Sequence, residues 1–268
     1  MTPRPHPQGA PSVPAAPAAP EAPEAPTSRD ALLDGRVVLD QPAAGYRTAI
    51  DPVLLAAAVP AAPADAVLDL GCGTGAAALC LLARVPEVRV TGLDLQIELI
   101  RMAGANARAN GVAARFVPMV GDVARLPPRL APASFDHVMC NPPYLKPEAG
   151  RASPDRARDL ATREGPAGLA DWVGAALIMA RSRGSLSFVH RADRLDDLLG
   201  ALKGRAGDVA VFPLWPKAGS PAKRVLVQAR KDSRAPLSLR PGLVLHEAGG
   251  AFTPAAEAIL RAAAPLVI

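Results

Sequence analysis

The sequence is poor in cysteine, histidine and aromatic side chains, and it lacks a long apolar run. Its three cysteines include no CxxC pair and its four histidines show no metal-ligand spacing, so we expect a reducing compartment and no zinc site. The longest apolar run covers only residues 53–64 and contains Pro60 and Pro63, so it is too short to span a bilayer. The first residues carry no apolar h-region, and we predict a cytoplasmic protein without a secretory signal.

Proline is abundant but unevenly placed. Residues 1–28 hold nine of the 30 prolines and seven alanines, with almost no large apolar side chain. Such a tract cannot build a core. We therefore expect a disordered Pro/Ala-rich tail over residues 1–28 and a single folded domain over residues 29–268.

Positive charge is concentrated late in the chain. The whole protein has a net charge of +5, whereas residues 201–240 alone hold nine basic and two acidic residues. A phosphate-rich partner would neutralise this stretch and release counterions, so the charge favours a nucleic-acid partner; a solvated basic face is the alternative. The nine basic residues are Lys203, Arg205, Lys217, Lys223, Arg224, Arg230, Lys231, Arg234 and Arg240.

Apolar runs of strand length alternate with runs of helix length. The pattern predicts strands at 37–40, 66–70, 88–93, 115–120, 135–140, 185–190, 209–212 and 224–229, and helices at 53–59, 76–84, 97–110, 169–183 and 195–203. Asp51 is the expected N-cap of the first helix, with Pro52 at its first position. The alternation implies βαβ units and a mostly parallel sheet, and the last two strands imply an antiparallel pair.

Polar clusters follow four of the predicted strands, at the end where open α/β sheets bind ligands. The first cluster is Asp69-Leu-Gly-Cys-Gly-Thr-Gly75, a GxGxG pattern preceded by an acid. Its glycines allow a sharp turn and a close backbone approach to a ligand. The carboxylate would repel a pyrophosphate, unlike a GxGxxG fingerprint, and would suit an ammonium group. A generic βα turn is the other interpretation.

Two more acids stand at strand ends. Asp94 lies 25 residues after Asp69 and can accept both hydroxyls of a ribose, or it can cap the following helix. Asp122 can accept a hydrogen bond from an exocyclic amine such as that of adenine, although a surface turn would also explain it. The series of three acids favours the binding roles.

The fourth cluster is Asn141-Pro142-Pro143-Tyr144. Proline has a fixed φ and no N–H donor, so the carbonyls and the Asn141 side-chain oxygen remain as directed acceptors. Tyr144 offers a flat face for stacking. The cluster therefore suits an NH₂ group on a planar substrate, and its position directly after a buried strand makes a chance turn the weaker interpretation.

Together these motifs resemble the class I S-adenosylmethionine-dependent methyltransferases, in the amino-methylating group with an (N/D)PP(Y/F) motif. The resemblance covers about residues 30–230. It implies a Rossmann-like fold with a mostly parallel seven-stranded sheet and an antiparallel edge hairpin, and S-adenosyl-L-methionine as cofactor. The implied catalytic residues are Asn141, Pro142, Pro143 and Tyr144. The implied cofactor-binding residues are Asp69, Gly71, Gly73 and Gly75 for the methionine part, Asp94 for the ribose and Asp122 for adenine.

The flanking segments are similar to those of bacterial tRNA (adenine-N6) methyltransferases, which modify the adenine beside the anticodon of a valine tRNA. The similarity lies in residues 41–51 and 216–230. It implies that a segment at 35–60 covers the cofactor, with Arg47 and Asp51 near it, and that tRNA is the partner of a monomer or homodimer. The candidate phosphate contacts are Lys217, Lys223, Arg224, Arg230 and Lys231.

The resemblance leads us to expect direct methyl transfer to the N6 amine of a flipped-out adenine. Asn141 Oδ1 and the Pro142 carbonyl would accept the hydrogens of the amine and aim its lone pair, while Tyr144 would stack on the base. The segment Lys146–Gly168 carries five basic residues, and it is interpreted as a mobile lid or as an ordinary surface loop.

Three other functions stay open from the sequence. A protein-glutamine N5-methyltransferase would hold a planar carboxamide in the same way, but that group usually carries an N-terminal helical domain. An rRNA guanine-N2 methyltransferase is the second alternative. The third is a nucleic-acid-binding protein that keeps the fold without activity, and the intact Asp94, Asp122 and Asn141–Tyr144 cluster argue against it.

Overall fold

A computed structural model of the chain describes residues 26–43, 49–144 and 166–268. Its strands are β1 (Thr27–Leu32), β2 (Val37–Pro42), β3 (Ala66–Leu70), β4 (Arg89–Asp94), β5 (Phe116–Val120), β6 (Phe135–Cys140), β7 (Ala180–Arg191), β8 (Ala206–Lys217), β9 (Arg224–Lys231), β10 (Ser238–Leu239) and β11 (Leu243–His246). Its helices are α1 (Asp51–Ala58), α2 (Ala76–Arg84), α3 (Ile97–Ala109), α4 (Leu169–Met179), α5 (Leu195–Leu202) and α6 (Pro254–Leu260), with a 3-10 turn at Ala192–Arg194.

A nine-stranded sheet dominates the described part of the chain. Its order is β10-β8-β9-β7-β6-β3-β4-β5, with β11 also paired to β8. The pairs from β7 through β6, β3 and β4 to β5 are parallel, and β9 runs antiparallel to both β7 and β8. The predicted mostly parallel sheet with an antiparallel pair is confirmed. Seven of its strands were expected, and the short β10 and β11 extend it beyond β8.

Two apolar layers cover the faces of this sheet. Helices α1, α2 and α3 contribute to one layer, with Leu54 and Leu79 among its fully enclosed side chains. Helices α4 and α5 contribute to the other, with Val173 and Leu198 packed near Phe188 of β7. Each such side chain stabilises the fold by roughly 1.5–3 kcal/mol through removal of apolar surface from water. No helix among residues 26–43, 49–144 and 166–268 has the length and apolarity needed to cross a membrane.

The start of α1 differs from the prediction. Asp51 is the first helical residue rather than the N-cap, and Ile50 takes the cap position without a side-chain hydrogen bond. The Asp51 carboxylate instead accepts a hydrogen bond from Arg224 Nε at 3.1 Å. The Asp51 side chain therefore forms an ion pair with a distant strand instead of the capping hydrogen bond that local propensity predicts.

The predicted helix at 169–183 is too long. Helix α4 ends at Met179, and the next residues already belong to β7. Arg181 forms an ion pair with Asp136 of β6 at 2.6 Å. At Gly184 a Cβ atom would lie 2.9 Å from the carbonyl oxygen of Asp136. The backbone therefore comes too close to β6 there for a larger residue. Pairing of β7 with β6, from Ala180 opposite Phe135 onward, makes these residues strand rather than helix.

The first strand begins earlier in the chain than the predicted end of the tail. Strand β1 begins at Thr27, inside the tail expected at 1–28, and pairs with β2 in a separate two-stranded sheet. Arg29 and Asp40 join the two strands through an ion pair at 2.8 Å. Residues 1–25 lie outside the described residues.

Two asparagines, Asn106 of α3 and its C-cap residue Asn110, hold β2 against the domain. The Asn110 side chain accepts from Val38 N at 2.9 Å and donates to Val38 O at 2.7 Å. Asn106 does the same for Asp40, and its Nδ2 also donates to Thr74 O at 3.0 Å. These bonds place the end of β2 beside the glycine loop that follows β3.

Candidate active site

A single cavity of about 240 Å³ joins the glycine loop after β3 to the turn after β6. The carboxyl ends of β3, β4, β5 and β6 are adjacent because these strands are parallel and neighbouring, so the polar clusters that follow them meet at one edge. The predicted residues that line the cavity are Asp69, Gly71, Gly73, Asp94, Asp122, Asn141, Pro143 and Tyr144.

The glycine loop turns where only glycine fits. Gly71 has a φ of +72°, and an added Cβ would lie 2.8 Å from the ring of Trp172. Gly75 has a φ of +91° at the N-cap of α2, and a Cβ there would lie 2.7 Å from Phe116. Positive φ values are costly for residues with a Cβ. Gly75 is not among the residues that line the cavity, so its place in the fold is to turn the chain into α2.

Asp69 is a buried acid at the end of β3. Its side-chain atom Oδ2 has no hydrogen-bond partner in the described part of the chain. Burial, with a smaller contribution from the negative charge of Asp94, raises the pKa of Asp69 to about 7. A backbone hydrogen bond from Ala78 opposes this rise. A buried carboxylate oxygen without a partner is still costly, and a cationic group placed in the cavity would relieve that cost.

Asp94 and Asp122 each hold a turn and also face the cavity. Asp94 Oδ2 accepts from Gly73 N at 2.9 Å, and its Oδ1 accepts from Gln96 N at 2.9 Å. Burial raises the pKa of Asp94, against the opposing effect of these bonds. Asp122 Oδ1 accepts from the N–H of Ala124 at 2.8 Å. Gln96, rather than Asp94, is the N-cap of α3, so Asp94 does not cap the helix as the alternative interpretation expected.

The turn after β6 contains a hydrogen-bonded pair. The Tyr144 hydroxyl donates to Asn141 Oδ1 at 2.7 Å and also lies 3.3 Å from Asp51 Oδ2. The guanidinium carbon of Arg224 lies 4.8 Å from the centroid of the Tyr144 ring. Tyr144 is only 8% exposed, so its ring is less open for stacking than the sequence suggested. Pro142 is not among the lining residues, whereas Pro143 is.

Asp51 lies behind this turn. Its carboxylate contacts Arg224 and Tyr144, while its neighbour Pro52 lines the cavity. Arg47 falls outside the described residues, as does most of the segment Lys146–Gly168, so the structure does not describe the expected lid.

The five candidate phosphate contacts divide between the two ends of the strands in the sheet. We call the end that carries the cavity the carboxyl edge and the opposite end the amino edge. Lys217, Lys223 and Arg224 flank the turn between β8 and β9, at the edge that carries the cavity. Arg230 and Lys231 lie at the opposite end of β9, about 20 Å away at the usual rise per strand residue. They contact Asp208 and the carbonyl oxygen of Ala180, respectively.

Several lining residues have no place in the sequence prediction, among them Leu95, Gln96, Leu99 and Trp172. Gln41 and Pro42 also line the cavity, and both fall within the segment at 35–60 that the resemblance expects to cover the cofactor. The docking of β2 on α3 brings them there, through contacts between distant segments. Trp172 comes from α4 on the other side of the sheet, and no local pattern marks it.

His190 is a second buried polar group at this edge. It is 0% exposed, and neither ring nitrogen has a hydrogen-bond partner among the residues that the structure covers. Burial, followed by the positive charges of Arg194 and Arg224, lowers the pKa of His190 to about 4. No group of three potential metal-binding side chains occurs in the described ranges.

Comparison with known proteins agrees with this geometry. Residues 67–165 match the family model described as a methyltransferase domain. A tRNA1(Val) (adenine(37)-N6)-methyltransferase from Porphyromonas gingivalis is 30% identical over 235 residues, covering 82% of this chain and 89% of that protein. One from Yersinia enterocolitica is 38% identical over 116 residues, covering 43% of this chain and 45% of that protein. The crystal structure of a predicted O-methyltransferase from Agrobacterium tumefaciens gives a TM-score of 0.69 at 28% identity, covering 81% of this chain and 99% of that one.

The sheet, its cavity and these similarities define a class I methyltransferase that uses S-adenosylmethionine. The residues present fit that cofactor, because the glycine loop allows close approach of a ligand and Asp69 Oδ2 lacks a partner among the described residues. The relation to the Porphyromonas gingivalis protein then fixes the family more narrowly: the chain belongs to the tRNA1(Val) (adenine(37)-N6)-methyltransferase family.

Proposed function

We propose that this enzyme methylates the exocyclic N6 amine of an adenine in tRNA, after the base has left its stack. The observation that carries the proposal is the continuity of one cavity from Asp69, whose Oδ2 has no hydrogen-bond partner among the described residues, to Asn141. An acidic half suits a cationic methyl donor, and an acceptor half suits an NH₂ group. The names of the relatives supply the base and the RNA class.

The acidic half would hold the cofactor. Asp69 would pair with the ammonium group of its methionine part, and Gly71 and Gly73 would allow the loop backbone to approach it. Asp94 would accept the ribose hydroxyls, since each carboxylate oxygen can accept more than the one bond it has. Asp122 would accept from the amine of the cofactor's adenine.

The acceptor half would position the substrate amine. Asn141 Oδ1 already accepts the Tyr144 hydroxyl at 2.7 Å, and an amide oxygen has a second lone pair for a substrate N–H. A backbone carbonyl of the same turn would accept the other hydrogen; Pro142, which the sequence suggested for this, does not line the cavity, whereas Pro143 does. Holding both hydrogens aims the nitrogen lone pair, so the rate gain comes from orientation and from dipoles facing the charge that develops on nitrogen.

S-Adenosylmethionine, when bound, supplies an activated methyl group: an N–C bond forms as the C–S bond breaks, and the alkylated nitrogen then loses a proton to water. The side chains around the reacting nitrogen are acceptors, and none needs to act as a strong base. Alkylation makes the nitrogen cationic and therefore acidic. The protein thus has to orient the amine rather than deprotonate it.

Lys217 and Lys223 are the proposed phosphate contacts. Both are exposed and flank the β8–β9 turn at the cavity edge. Arg224, in contrast, is committed to Asp51 and Tyr144. The amino-edge pair Arg230 and Lys231 is too far from the cavity to contact RNA next to the target base.

The test is transfer of a labelled methyl group into bulk tRNA, bulk rRNA and a protein release factor, followed by nucleoside and amino-acid analysis. We expect N6-methyladenosine in tRNA alone. The Asn141→Ala variant serves as the matched control, and we expect it to lose most turnover while retaining cofactor affinity. Label in glutamine would support the protein-glutamine N5-methyltransferase and overturn the proposal, and N2-methylguanosine in rRNA would support the guanine alternative and overturn it as well.

A further inference from the structure

We propose that Arg224 and Asp51 are positioning residues that, through Tyr144, keep the oxygen of the Asn141 amide turned toward the substrate amine. The inference rests on the proposed function, because it needs Asn141 Oδ1 as the acceptor of that amine. Neither residue has to touch the substrate or the cofactor. Arg224 comes from β9 and Asp51 from α1, 173 residues earlier in the chain.

The Tyr144 hydroxyl is the link between the two sides. It lies 2.7 Å from Asn141 Oδ1 and 3.3 Å from Asp51 Oδ2. A phenol has one proton to donate, so it donates to only one of these oxygens at a time. When it donates to Asn141, the amide must present its oxygen, and the orientation required for catalysis is fixed.

Asp51 is the competitor for that proton. A carboxylate is a stronger acceptor than an amide oxygen, and Asp51 is only 8% exposed. Once the proton turned toward Asp51, the phenol oxygen would become an acceptor facing Asn141. The amide would then rotate to present its NH₂ group, which donates and would repel a substrate N–H.

Arg224 removes this competition. Its Nε donates to Asp51 Oδ2 at 3.1 Å, the same oxygen that Tyr144 approaches, and so satisfies and neutralises the carboxylate. Its guanidinium carbon also lies 4.8 Å from the centroid of the Tyr144 ring, where a cation is attracted by the ring face. One side chain therefore both occupies Asp51 and holds the phenol in place.

The activity test compares Arg224→Met with the double variant Arg224→Met/Asp51→Asn. Arg224→Met leaves an unneutralised carboxylate beside the Tyr144 hydroxyl, and we expect kcat on tRNA to fall by about 10²-fold, the scale of a misoriented catalytic group. The double variant removes the charge that competes for the proton, so we expect it to recover most of that loss. The KM for S-adenosylmethionine should change little in either variant.

A matched control separates positioning from general loss of charge. Arg191 is paired with Arg224 across the β7–β9 ladder. Among the described residues, its side chain bonds only to Asp193. Arg191→Met removes the same charge from the same edge, and we expect kcat to stay within about twofold of the wild type. If the double variant is as impaired as Arg224→Met, or if Arg191→Met loses as much, the inference is overturned.

A second measurement requires no RNA. The sequence has only three asparagines, Asn106, Asn110 and Asn141, so selective ¹⁵N labelling gives three side-chain amide signals in NMR spectra. We expect Arg224→Met to move the Asn141 signals alone and the double variant to restore them. Asn106 and Asn110, which are bound to β2, are internal references for the fold.

The two measurements separate the possible failures. If wild-type enzyme places no methyl group on tRNA adenine, the proposed function fails, while the NMR comparison still decides how the amide is oriented. If tRNA is methylated but the Asn141 signals do not respond to Arg224→Met, the proposed function stands and the positioning inference is wrong.

Discussion

The amino edge and the carboxyl edge of the central sheet carry similar polar residues, but the two sets differ in whether their side chains have hydrogen-bond partners. At the amino edge, His137 bonds Ser185 Oγ at 2.7 Å and Asp65 Oδ2 at 2.9 Å. Arg230 there forms an ion pair with Asp208 at 3.3 Å. These side chains find their partners within the chain. An acid, an imidazole and a hydroxyl in series resemble a catalytic triad, but Ser185 is only 1% exposed, so its hydroxyl lies inside the fold rather than at a surface open to a substrate.

At the carboxyl edge, an acid and a histidine remain without such partners. Asp69 Oδ2 and both nitrogens of His190 are buried without a hydrogen bond from any residue that the structure describes. Burial raises the pKa of Asp69 and lowers that of His190, so both shifts favour the neutral form. Among the buried acid and imidazole groups of the described residues, Asp69 and His190 therefore mark the carboxyl edge, which is the edge proposed to bind ligands.

The largest expected effect comes from breaking the amino edge. His137→Ala leaves Asp65 and Ser185 without their shared partner and opens a cavity, so we expect the free energy of unfolding to fall by about 3 kcal/mol. The affinity for S-adenosylmethionine should stay within about twofold, because the site lies at the other edge. Urea unfolding and calorimetric titration measure the two quantities, and a tenfold loss of cofactor affinity would show that the edges are not separate.

Replacing Asp69 should have the reverse outcome, a loss of cofactor affinity without a loss of stability. Asp69→Asn removes the charge proposed to pair with the cofactor ammonium group, which is worth about 1.5–3 kcal/mol, or roughly 10–100-fold in affinity. At neutral pH the variant should be no less stable than the wild type, because the buried charge is gone. Titration with S-adenosylmethionine at pH 7.5 measures the loss, and an unchanged affinity would contradict the role of Asp69.

The same variant has a pH signature. The folded-state pKa of Asp69 is about 7, against 3.8 for the unfolded group, so the native state binds more protons within that window. Stability of the cofactor-free wild type should therefore fall as pH rises from about 4 to 7, and Asp69→Asn should remove this contribution. Asp94, whose pKa is also raised, contributes a slope of the same sign in both proteins, and His190, whose pKa is lowered, contributes the opposite slope. The contribution of Asp69 is therefore measured as the difference between wild type and variant.

The smallest expected effect concerns RNA affinity. Replacing Lys217 and Lys223 with alanine should flatten the salt dependence of tRNA binding, by roughly 0.7–0.9 in slope for each lost phosphate contact. Replacing Arg230 and Lys231 should leave the slope unchanged, since they lie at the amino edge, away from the cavity. A flatter slope in the second pair, with none in the first, would place RNA on the wrong edge for the proposed site.

The sequence predicts well what local patterns control. Strands β3 and β6 and helix α2 have the predicted bounds, because apolar runs and glycine turns are read within a few residues of each other. The positions of Asp69, Asp94 and Asn141 around one cavity follow from the same source, since parallel neighbouring strands end at a common edge.

Contacts between distant segments explain what the sequence misses. Capping propensity places Asp51 at a helix start, whereas an arginine 173 residues away takes its carboxylate. Helical periodicity predicts that α4 continues past Met179, whereas the following residues belong to β7, which pairs with β6 from Ala180 onward. The positions of Trp172 and of Arg230 likewise depend on sheet order, which no local pattern contains.

The most direct test of the account asks whether both halves of the cavity are occupied together. An analogue that joins the aminoacid-adenosine part of the cofactor to N6 of a second adenosine by a short linker would span them. We predict that wild-type enzyme binds it at least about tenfold more tightly than S-adenosylhomocysteine, because a tethered second site adds affinity, and that Asn141→Ala abolishes this advantage. Equal affinity for the two compounds in the wild type would contradict a cavity that presents a substrate amine at Asn141 to the methyl donor.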